Sequence, residues 1–230
     1  STYCCHPSMC HDNLSGLCLT TYLAKAIMSN TNYYSYRFVF IPETIGSIVY
    51  INQNYNYLKQ NVIGGYVITH VGDNGMFKYI QTIEKNNFID KVTIFTLNNM
   101  KIKYDLRDYN TYGSDERNYN FPNVNLNIGS IVRSKYTEYP EYHTSDDNLN
   151  FISTKNLEES FIIYTQCIKN IENNKIYKHN FIGEPFLSSF NLISALSGQS
   201  YKNNDNSIII KKILYLINGK NDVLTLCEKL

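Results

Sequence analysis

The sequence has no tryptophan, only five prolines and no long uninterrupted apolar stretch among its 230 residues. A membrane-spanning helix needs about 18 or more consecutive apolar residues, so the chain offers no candidate for one. Charged residues make up only 18%, and the formal net charge is +1. Because neither charge is in excess, we expect neither nucleic acid nor a membrane surface as a partner.

Six cysteines are present, and their spacing lacks the regularity of a disulfide scaffold. Four crowd the N-terminus and two are isolated: Cys4, Cys5, Cys10, Cys18, Cys167 and Cys227. A chain of this length also has no need of disulfides to stabilise its core. We therefore predict reduced thiols and a cytoplasmic location. No signal-peptide pattern is visible, but the chain starts in an apparent strand and ends in an apparent helix, so we expect a fragment cut at both ends.

Apolar runs and helical patterns alternate along the first two thirds of the chain. The runs predict strands over residues 1–5, 36–41, 66–71, 77–83, 101–106 and 127–133. Apolar residues at helical spacing predict helices over residues 12–29, 46–58, 87–98 and 157–172. Strands that are apolar throughout are typical of a sheet covered by helices on both faces. We therefore predict an α/β fold with three layers, αβα, around a mostly parallel sheet.

The pattern changes after about residue 180, where an irregular segment precedes two helical patterns around Asn218 and Gly219. We predict two domains, a main domain over residues 1–180 and a small helical unit over residues 186–230. The segment IIIKKILYLI in this unit is mainly apolar, and two lysines on a solvated helix face are ordinary. That composition favours internal packing or protein contact, including an oligomer formed through this unit, over DNA binding.

Candidate chemical residues follow the predicted strands, where ligands bind in open α/β sheets. They are His6, Asp12, Glu43, Asp73 and the segments GSDER (113–117) and YHTSDD (142–147). Zinc is bound by imidazole nitrogens and carboxylate oxygens, and a further carboxylate can act as general base. Taken singly, each residue has a simpler explanation, such as a helix cap for Asp12 or a surface turn for His6. Their joint placement at strand ends favours a metal site.

The N-terminal Cys and His residues also suggest a zinc knuckle. Cys4 and Cys5 are adjacent on a strand, however, so their side chains point to opposite faces. No second pair of Cys or His residues with ligand spacing follows. We interpret the cysteines as small buried thiols that pack against the sheet, and His11 as a partly exposed turn residue rather than an extra ligand.

The ordered segments CHPSMCHDNLSG, YSYRFVFIPETIGS, GSDER and EYPEYHTSDD resemble an uncharacterised family of bacterial aminopeptidase-like proteins. That family is related to the zinc aminopeptidases of the leucyl aminopeptidase and glutamate carboxypeptidase type. The resemblance covers about residues 1–180, and residues 186–230 resemble the start of a winged-helix-like domain. It implies a zinc-aminopeptidase-like fold and a metallopeptidase that cleaves an N-terminal amino acid or a small amide.

The resemblance also assigns roles to individual residues. It implies that His6 is the first zinc ligand, that Asp12 is the carboxylate that bridges two ions, and that His143 is the last histidine ligand. It implies that Glu43 is the general base, because this residue matches the first member of the family's Glu-Glu pair. Asp147 would orient His143 without binding the metal itself.

Two further residues would support the site. The resemblance places Asp115 at the acidic position of the family's Ser-Asp-His motif, and Tyr142 lies beside the last histidine ligand. The chain also departs from the pattern. Thr44 replaces the second Glu of the pair, and Thr69 or His70 lies near the position of an expected aspartate. Either Asp73 has taken over as a metal ligand, or one zinc ion is bound rather than two. A catalytically degenerate zinc-binding or scaffold module is therefore an open alternative to the hydrolase.

Overall fold

Six strands form among the residues that the structure, a computed structural model, describes: 1–109, 113–190, 192 and 205–230. They are β1 (Thr2–Cys4), β2 (Phe40–Pro42), β3 (Gly65–Tyr66), β4 (Phe77–Ile80), β5 (Tyr104–Arg107) and β6 (Ile128–Val132). Each lies within or beside a predicted apolar run. The run after β3 stays buried but leaves the regular ladder, and it follows β6 through single hydrogen bonds such as that from Arg133 N to His70 O, 2.8 Å.

Three of the four strand pairings in the described residues are parallel. β1 pairs with β2, β3 with β6 and β4 with β5, whereas β4 and β6 run antiparallel. The larger sheet has the order β3-β6-β4-β5. Hydrogen bonds from Ile68 N to Ser1 O (2.8 Å) and from Thr2 Oγ1 to Ile68 O (2.9 Å) join the β1–β2 pair to the segment after β3. The predicted α/β fold with a mostly parallel sheet is therefore confirmed.

The helices of the first part of the chain pack their apolar residues against these strands. They are α1 (Ser15–Met28), α2 (Ile45–Asn61), α3 (Phe88–Asn99), the short α4 (Glu116–Tyr119) and α5 (Thr154–Asn173). In α5, Tyr164 is fully buried and its hydroxyl bonds to both the N–H (3.1 Å) and the C=O (2.8 Å) of Ile131 in β6. A single π-helical turn, Cys10–Leu14, precedes α1.

One strand differs from its prediction. The run over residues 36–41 was expected to be a buried strand, but only Phe40–Pro42 is regular and Phe40 is 45% exposed. β2 pairs with β1 at the border of the two-stranded sheet. Because β2 lies at an edge, its residues stay partly accessible despite their apolar composition.

The chain divides into two compact units, Ser1–Ile171 and Glu172–Leu230. The second unit contains a short 3-10 helix (Leu187–Phe190) and two helices, α6 (Asp205–Leu216) and α7 (Val223–Lys229), which flank Asn218 and Gly219 as predicted. Residue 191 and residues 193–204 of the predicted C-terminal domain lie outside the described residues.

The six cysteines, all within the described ranges, are unpaired. No helix of the described part of the chain has the length and apolar character needed to cross a bilayer.

Candidate metal centre

Asp12 lies at the centre of a group of histidines contributed by three separate strand-end segments. Its carboxylate is almost fully buried. Oδ2 lies 3.6 Å from His6 Nδ1 and 3.2 Å from His143 Nε2, and Oδ1 lies 3.7 Å from His70 Nε2. His6 follows β1, His70 follows β3 and His143 lies in the long loop after β6. The fold therefore brings together His6, Asp12 and His143, which were predicted as ligands, and adds His70.

The spacing of His6 and His70 from Asp12 fits a shared cation better than direct hydrogen bonds, whereas the 3.2 Å between His143 Nε2 and Asp12 Oδ2 is within hydrogen-bond range. Separations of 3.6 and 3.7 Å exceed the 2.7–3.2 Å of ordinary N–H···O hydrogen bonds. His6 Nδ1 and His70 Nε2 are both buried and have no hydrogen-bond partner, which is costly for buried polar atoms. Atoms bonded to one tetrahedral zinc ion at about 2.0–2.3 Å lie roughly 3.3–3.7 Å apart. The donor types and their separations from Asp12 therefore fit zinc.

The other face of the Asp12 carboxylate meets β1. Cys5 Sγ lies 3.4 Å from Asp12 Oδ1, and Tyr3 Oη lies 3.5 Å from the same oxygen. Burial and the neighbouring Asp12 raise the pKa of the Cys5 thiol, and the same two causes raise the pKa of the Tyr3 hydroxyl far above its usual value. Without a cation, both groups are therefore neutral donors to the carboxylate.

Asp147 holds the backbone of the turn that carries Asp12. Its Oδ1 accepts from the N–H of His11 at 2.6 Å, and its Oδ2 accepts from the N–H of Asp12 at 2.9 Å. The resemblance had implied that Asp147 orients His143. The structure instead gives both of its oxygens to the Asp12 turn, since a buried carboxylate is stabilised by backbone N–H donors.

Asn13 and Gly16 explain the rest of the motif around Asp12. The Asn13 amide donates to Tyr3 O at 3.0 Å and its Oδ1 accepts from Gly16 N at 3.1 Å. A side chain on Gly16 would overlap Asn13 Oδ1 and the carbonyl oxygen of Ile68. The turn therefore contacts both β1 and the segment after β3, and only glycine fits at position 16, where the helix start meets that segment.

His11 and Asp73 form a separate buried pair. His11 is fully buried, with Nε2 3.1 Å from Ser134 O and 3.6 Å from Asp73 Oδ1. Asp73 accepts hydrogen bonds from both the backbone N–H and the hydroxyl of Ser134. Burial lowers the pKa of the His11 ring. The expectation that His11 is a partly exposed turn residue is wrong, and the carboxylate of Asp73 is placed beside His11 and Ser134.

Glu43 lies at the carboxyl end of β2, in a turn that is held by Asp115. The Glu43 carboxylate accepts from Ser114 Oγ at 2.6 Å. Asp115 Oδ1 accepts from the Thr44 N–H (2.8 Å) and from Ser47 Oγ (2.9 Å). Thr44 has a positive φ of 59°, an uncommon conformation for a β-branched residue. Asp115 therefore fixes the strained residue next to Glu43, and burial raises the pKa of its carboxyl group.

Tyr142 stacks on His143, with ring centroids 3.8 Å apart and an interplanar angle of 20°. The His6 and His143 rings also touch, with centroids 4.1 Å apart. Burial, followed by the charges of Asp12 and Glu43, raises the pKa of Tyr142 to about 12. Tyr142 thus packs against the most exposed of the histidines, whose side chain is 42% accessible.

The sequence interpretation did not single out two residues that the structure places against Asp12, His70 and Cys5. His70 had been noted only as a residue near an expected aspartate, although its place at a strand end is the signal that marked the others. The cysteines had been interpreted as buried thiols, but Cys4 is exposed and Cys5 is half-buried against Asp12. Strand alternation separates the two side chains as expected, and the inner one faces the site.

Three comparisons with known proteins agree on one group. A family model described as "Domain of unknown function (DUF4910)" matches residues 1–174. A Clostridium acetobutylicum protein, named as a candidate polysaccharide biosynthesis protein with an aminopeptidase-like domain, is 40% identical over 230 residues. A crystal structure of a candidate peptidase from Clostridium acetobutylicum is 38% identical, has a TM-score of 0.84, and covers 99% of this chain.

More distant solved structures share the fold. An aminopeptidase from Aneurinibacillus sp. strain AM-1 (19% identity) and the zinc aminopeptidase BSAP from Bacillus subtilis (17%) each have a TM-score of 0.61 over 74% of this chain. This chain covers 43% and 45% of those proteins, respectively. It spans 52% of the curated Clostridium relative and 50% of the candidate peptidase structure. The fold is therefore aminopeptidase-like, in a chain about half as long as its relatives.

Proposed function

This chain belongs to the family described as "Domain of unknown function (DUF4910)", and from that premise we propose that it is a zinc-dependent aminopeptidase-like hydrolase. The reaction cleaves an N-terminal amino acid from a peptide or hydrolyses a small amide. The similarity to aminopeptidase-like and candidate peptidase proteins supports a peptidase-like activity. The residues around Asp12 support the dependence on zinc.

One observation carries the proposal. Two buried imidazole nitrogens, His6 Nδ1 and His70 Nε2, have no hydrogen-bond partner and lie against opposite oxygens of the Asp12 carboxylate. A purely structural histidine would donate to or accept from a protein group. Unpaired imidazole nitrogens on both sides of a buried carboxylate are explained by metal binding at that carboxylate.

His6, Asp12 and His143 would hold the zinc, with His70 on the other oxygen of Asp12. A zinc ion bound there supplies Lewis-acid polarisation of the substrate carbonyl and of a water molecule. Asp147 keeps Asp12 in place through the two backbone N–H groups of the turn. Tyr142 limits the movement of the His143 ring by stacking on it.

Glu43 acts as the general base. Ser114 Oγ donates to its Oε1, so we assign the incoming proton from water to Oε2. The same carboxyl group then delivers that proton to the leaving amine, which completes the hydrolysis. Asp115 keeps Glu43 in position, because it fixes the backbone of Thr44.

A second candidate function is a zinc-binding or scaffold module without hydrolase activity. The observation that favours it concerns Thr44, at the position where the family resemblance implies a second glutamate. Its N–H donates to Asp115 and its Oγ1 accepts from Arg117 Nη2 at 3.2 Å. Thr44 is therefore committed to holding the turn, and an anionic ligand is missing from this position.

The test combines metal analysis with hydrolysis of a panel of aminoacyl reporter amides. We expect Glu43→Gln to retain zinc and to lose hydrolysis by about 10²–10⁴-fold, the usual contribution of a general base. The matched control is Glu158→Gln, an exposed residue of α5, which should behave as wild type. Equal activity in the two variants would refute the role of Glu43. Zinc binding without hydrolysis of any reporter by the wild type would favour the scaffold module.

A further inference from the structure

We propose that Cys5 is a ligand of the metal ion, bound through a thiolate, so that the site combines nitrogen, oxygen and sulfur donors. The inference rests on the metal site of the proposed function and adds a ligand that neither the family resemblance nor the sequence pattern assigns. It concerns how the chain holds its metal, and it is tested below by a signal that does not depend on hydrolysis.

The geometry around Asp12 supplies the first argument. Cys5 Sγ lies 3.4 Å from Asp12 Oδ1. One ligand atom each from Cys5, His6 and Asp12 can be chosen so that all three lie within 4.8 Å of one another. Among the described residues, these three form the one group of His, Cys, Asp or Glu side chains whose ligand atoms all lie within 4.8 Å of one another. Cys5 is therefore one of three residues whose ligand atoms lie close enough together to share one ion.

The course of β1 gives the second argument. Tyr3 is buried and Cys4 is exposed, so alternation turns Cys5 back to the side of Tyr3. Both Tyr3 Oη and Cys5 Sγ reach the same oxygen of Asp12. The adjacent Cys4 thus differs from Cys5 in direction rather than in chemistry, which makes it a natural control.

A separate observation, the unpartnered nitrogen of His70, supports a ligand on this side of Asp12. His70 is 1% exposed, its Nε2 has no hydrogen-bond partner, and that atom lies 3.7 Å from Asp12 Oδ1. Cys5 Sγ therefore shares Asp12 Oδ1 with an unsatisfied buried imidazole. A cation on this side would satisfy the His70 nitrogen and replace the weak contact of the thiol with the carboxylate.

The chemistry of the donors completes the argument. Asp12 is the carboxylate that contacts His6, His70 and His143, and a Cys5 thiolate would add a second negative charge beside these neutral donors. On binding, the thiol proton passes to solvent as the sulfur–metal bond forms, with no change of oxidation state. A sulfur ligand favours zinc and other thiophilic ions over magnesium and manganese, which prefer oxygen donors.

Cobalt(II) substitution tests this directly, because a thiolate bound to cobalt gives an intense near-ultraviolet charge-transfer band. We expect the band in the cobalt-loaded wild type and in Cys4→Ser, and we expect its loss in Cys5→Ser. Zinc affinity should fall by on the order of 10–100-fold in Cys5→Ser relative to Cys4→Ser, at least the effect of removing an outer partner of a metal site.

A second measurement uses the wild-type chain and does not depend on the folding of a variant. Zinc should protect Cys5, but not the exposed Cys4, from a thiol-alkylating reagent, as read by peptide mass spectrometry. Cobalt bound without the charge-transfer band, together with unchanged alkylation of Cys5, would overturn the proposal while leaving the metal site intact. Failure to bind cobalt or zinc at all would overturn both this inference and the proposed function.

Discussion

Replacement of Asp147 by asparagine should weaken both the fold and the metal site, because this carboxylate holds the Asp12 turn. It is 1% exposed and accepts from two backbone N–H groups, those of His11 at 2.6 Å and Asp12 at 2.9 Å. The change Asp147→Asn keeps one acceptor oxygen but turns an amide N–H₂ group towards the other donor. One backbone N–H is then left buried and unsatisfied.

The size of the effect follows from these two bonds. A hydrogen bond to a charged group is worth about 1.5–3 kcal/mol, and a buried unsatisfied donor costs about 1–3 kcal/mol. We therefore expect Asp147→Asn to lower the free energy of unfolding by about 2–4 kcal/mol. For a domain of this size that corresponds to a fall in Tm of roughly 5–15 °C.

The assay is urea unfolding of the metal-free chain, followed by circular dichroism, with zinc titration of the same samples. Asp146→Asn is the matched control, because the neighbouring Asp146 is exposed and surface substitutions usually change stability by less than about 0.5 kcal/mol. Zinc affinity should fall in Asp147→Asn and stay unchanged in Asp146→Asn. If both variants unfold at the same urea concentration, the assignment of Asp147 as the support of the Asp12 turn is wrong.

Three further predictions concern packing, titration and the Glu43 turn. Gly16→Ala should destabilise the chain by about 1–3 kcal/mol, because its Cβ would overlap Asn13 and Ile68, whereas Gly183→Ala, with open space around it, should be neutral in thermal unfolding. Burial raises the pKa of many of the tyrosines, and the four followed in this test stay protonated in the folded chain after the unfolded chain has begun to ionise, so stability should fall as pH rises through about 10. The chain has no tryptophan to interfere with tyrosinate absorbance. The absorbance should show four tyrosines that ionise only on unfolding, namely Tyr3, Tyr66, Tyr79 and Tyr164. A single smooth titration of all tyrosines in the folded chain would contradict this prediction. Asp115→Asn should reduce hydrolysis while zinc binding persists, because it loosens the turn of Glu43 and leaves Asp12 untouched; loss of zinc together with activity would place Asp115 in the metal site instead.

The sequence predicted the parts of this molecule that depend on periodicity and on strand ends. The apolar runs located the strands, and the meeting of strand ends brought His6, Asp12 and His143 together, because the parallel strands place their carboxyl ends at one edge. Burial of a particular loop residue is not encoded in any local pattern. His11 was therefore expected to be partly exposed, although it is fully buried and its Nε2 lies 3.1 Å from Ser134 O.

Partner choice was equally hard to predict. A carboxylate near a histidine in the sequence suggests that the two interact, yet both oxygens of Asp147 are taken by backbone N–H groups far away in the chain. Backbone N–H donors are present at every residue except proline, so the sequence does not show which of them a carboxylate will bind. Alternation along β1 showed that Cys4 and Cys5 point apart, but not that the inner face of this strand borders the Asp12 carboxylate.

A crystal of the chain loaded with zinc, measured on both sides of the zinc absorption edge, tests the central claim most directly. We predict an anomalous peak bonded to Asp12 and His6 at about 2.0–2.3 Å, the usual zinc–ligand distances. The height and number of peaks would count the ions. A zinc-loaded crystal with no peak beside Asp12, or with its only peak at His11 and Asp73, would contradict the account.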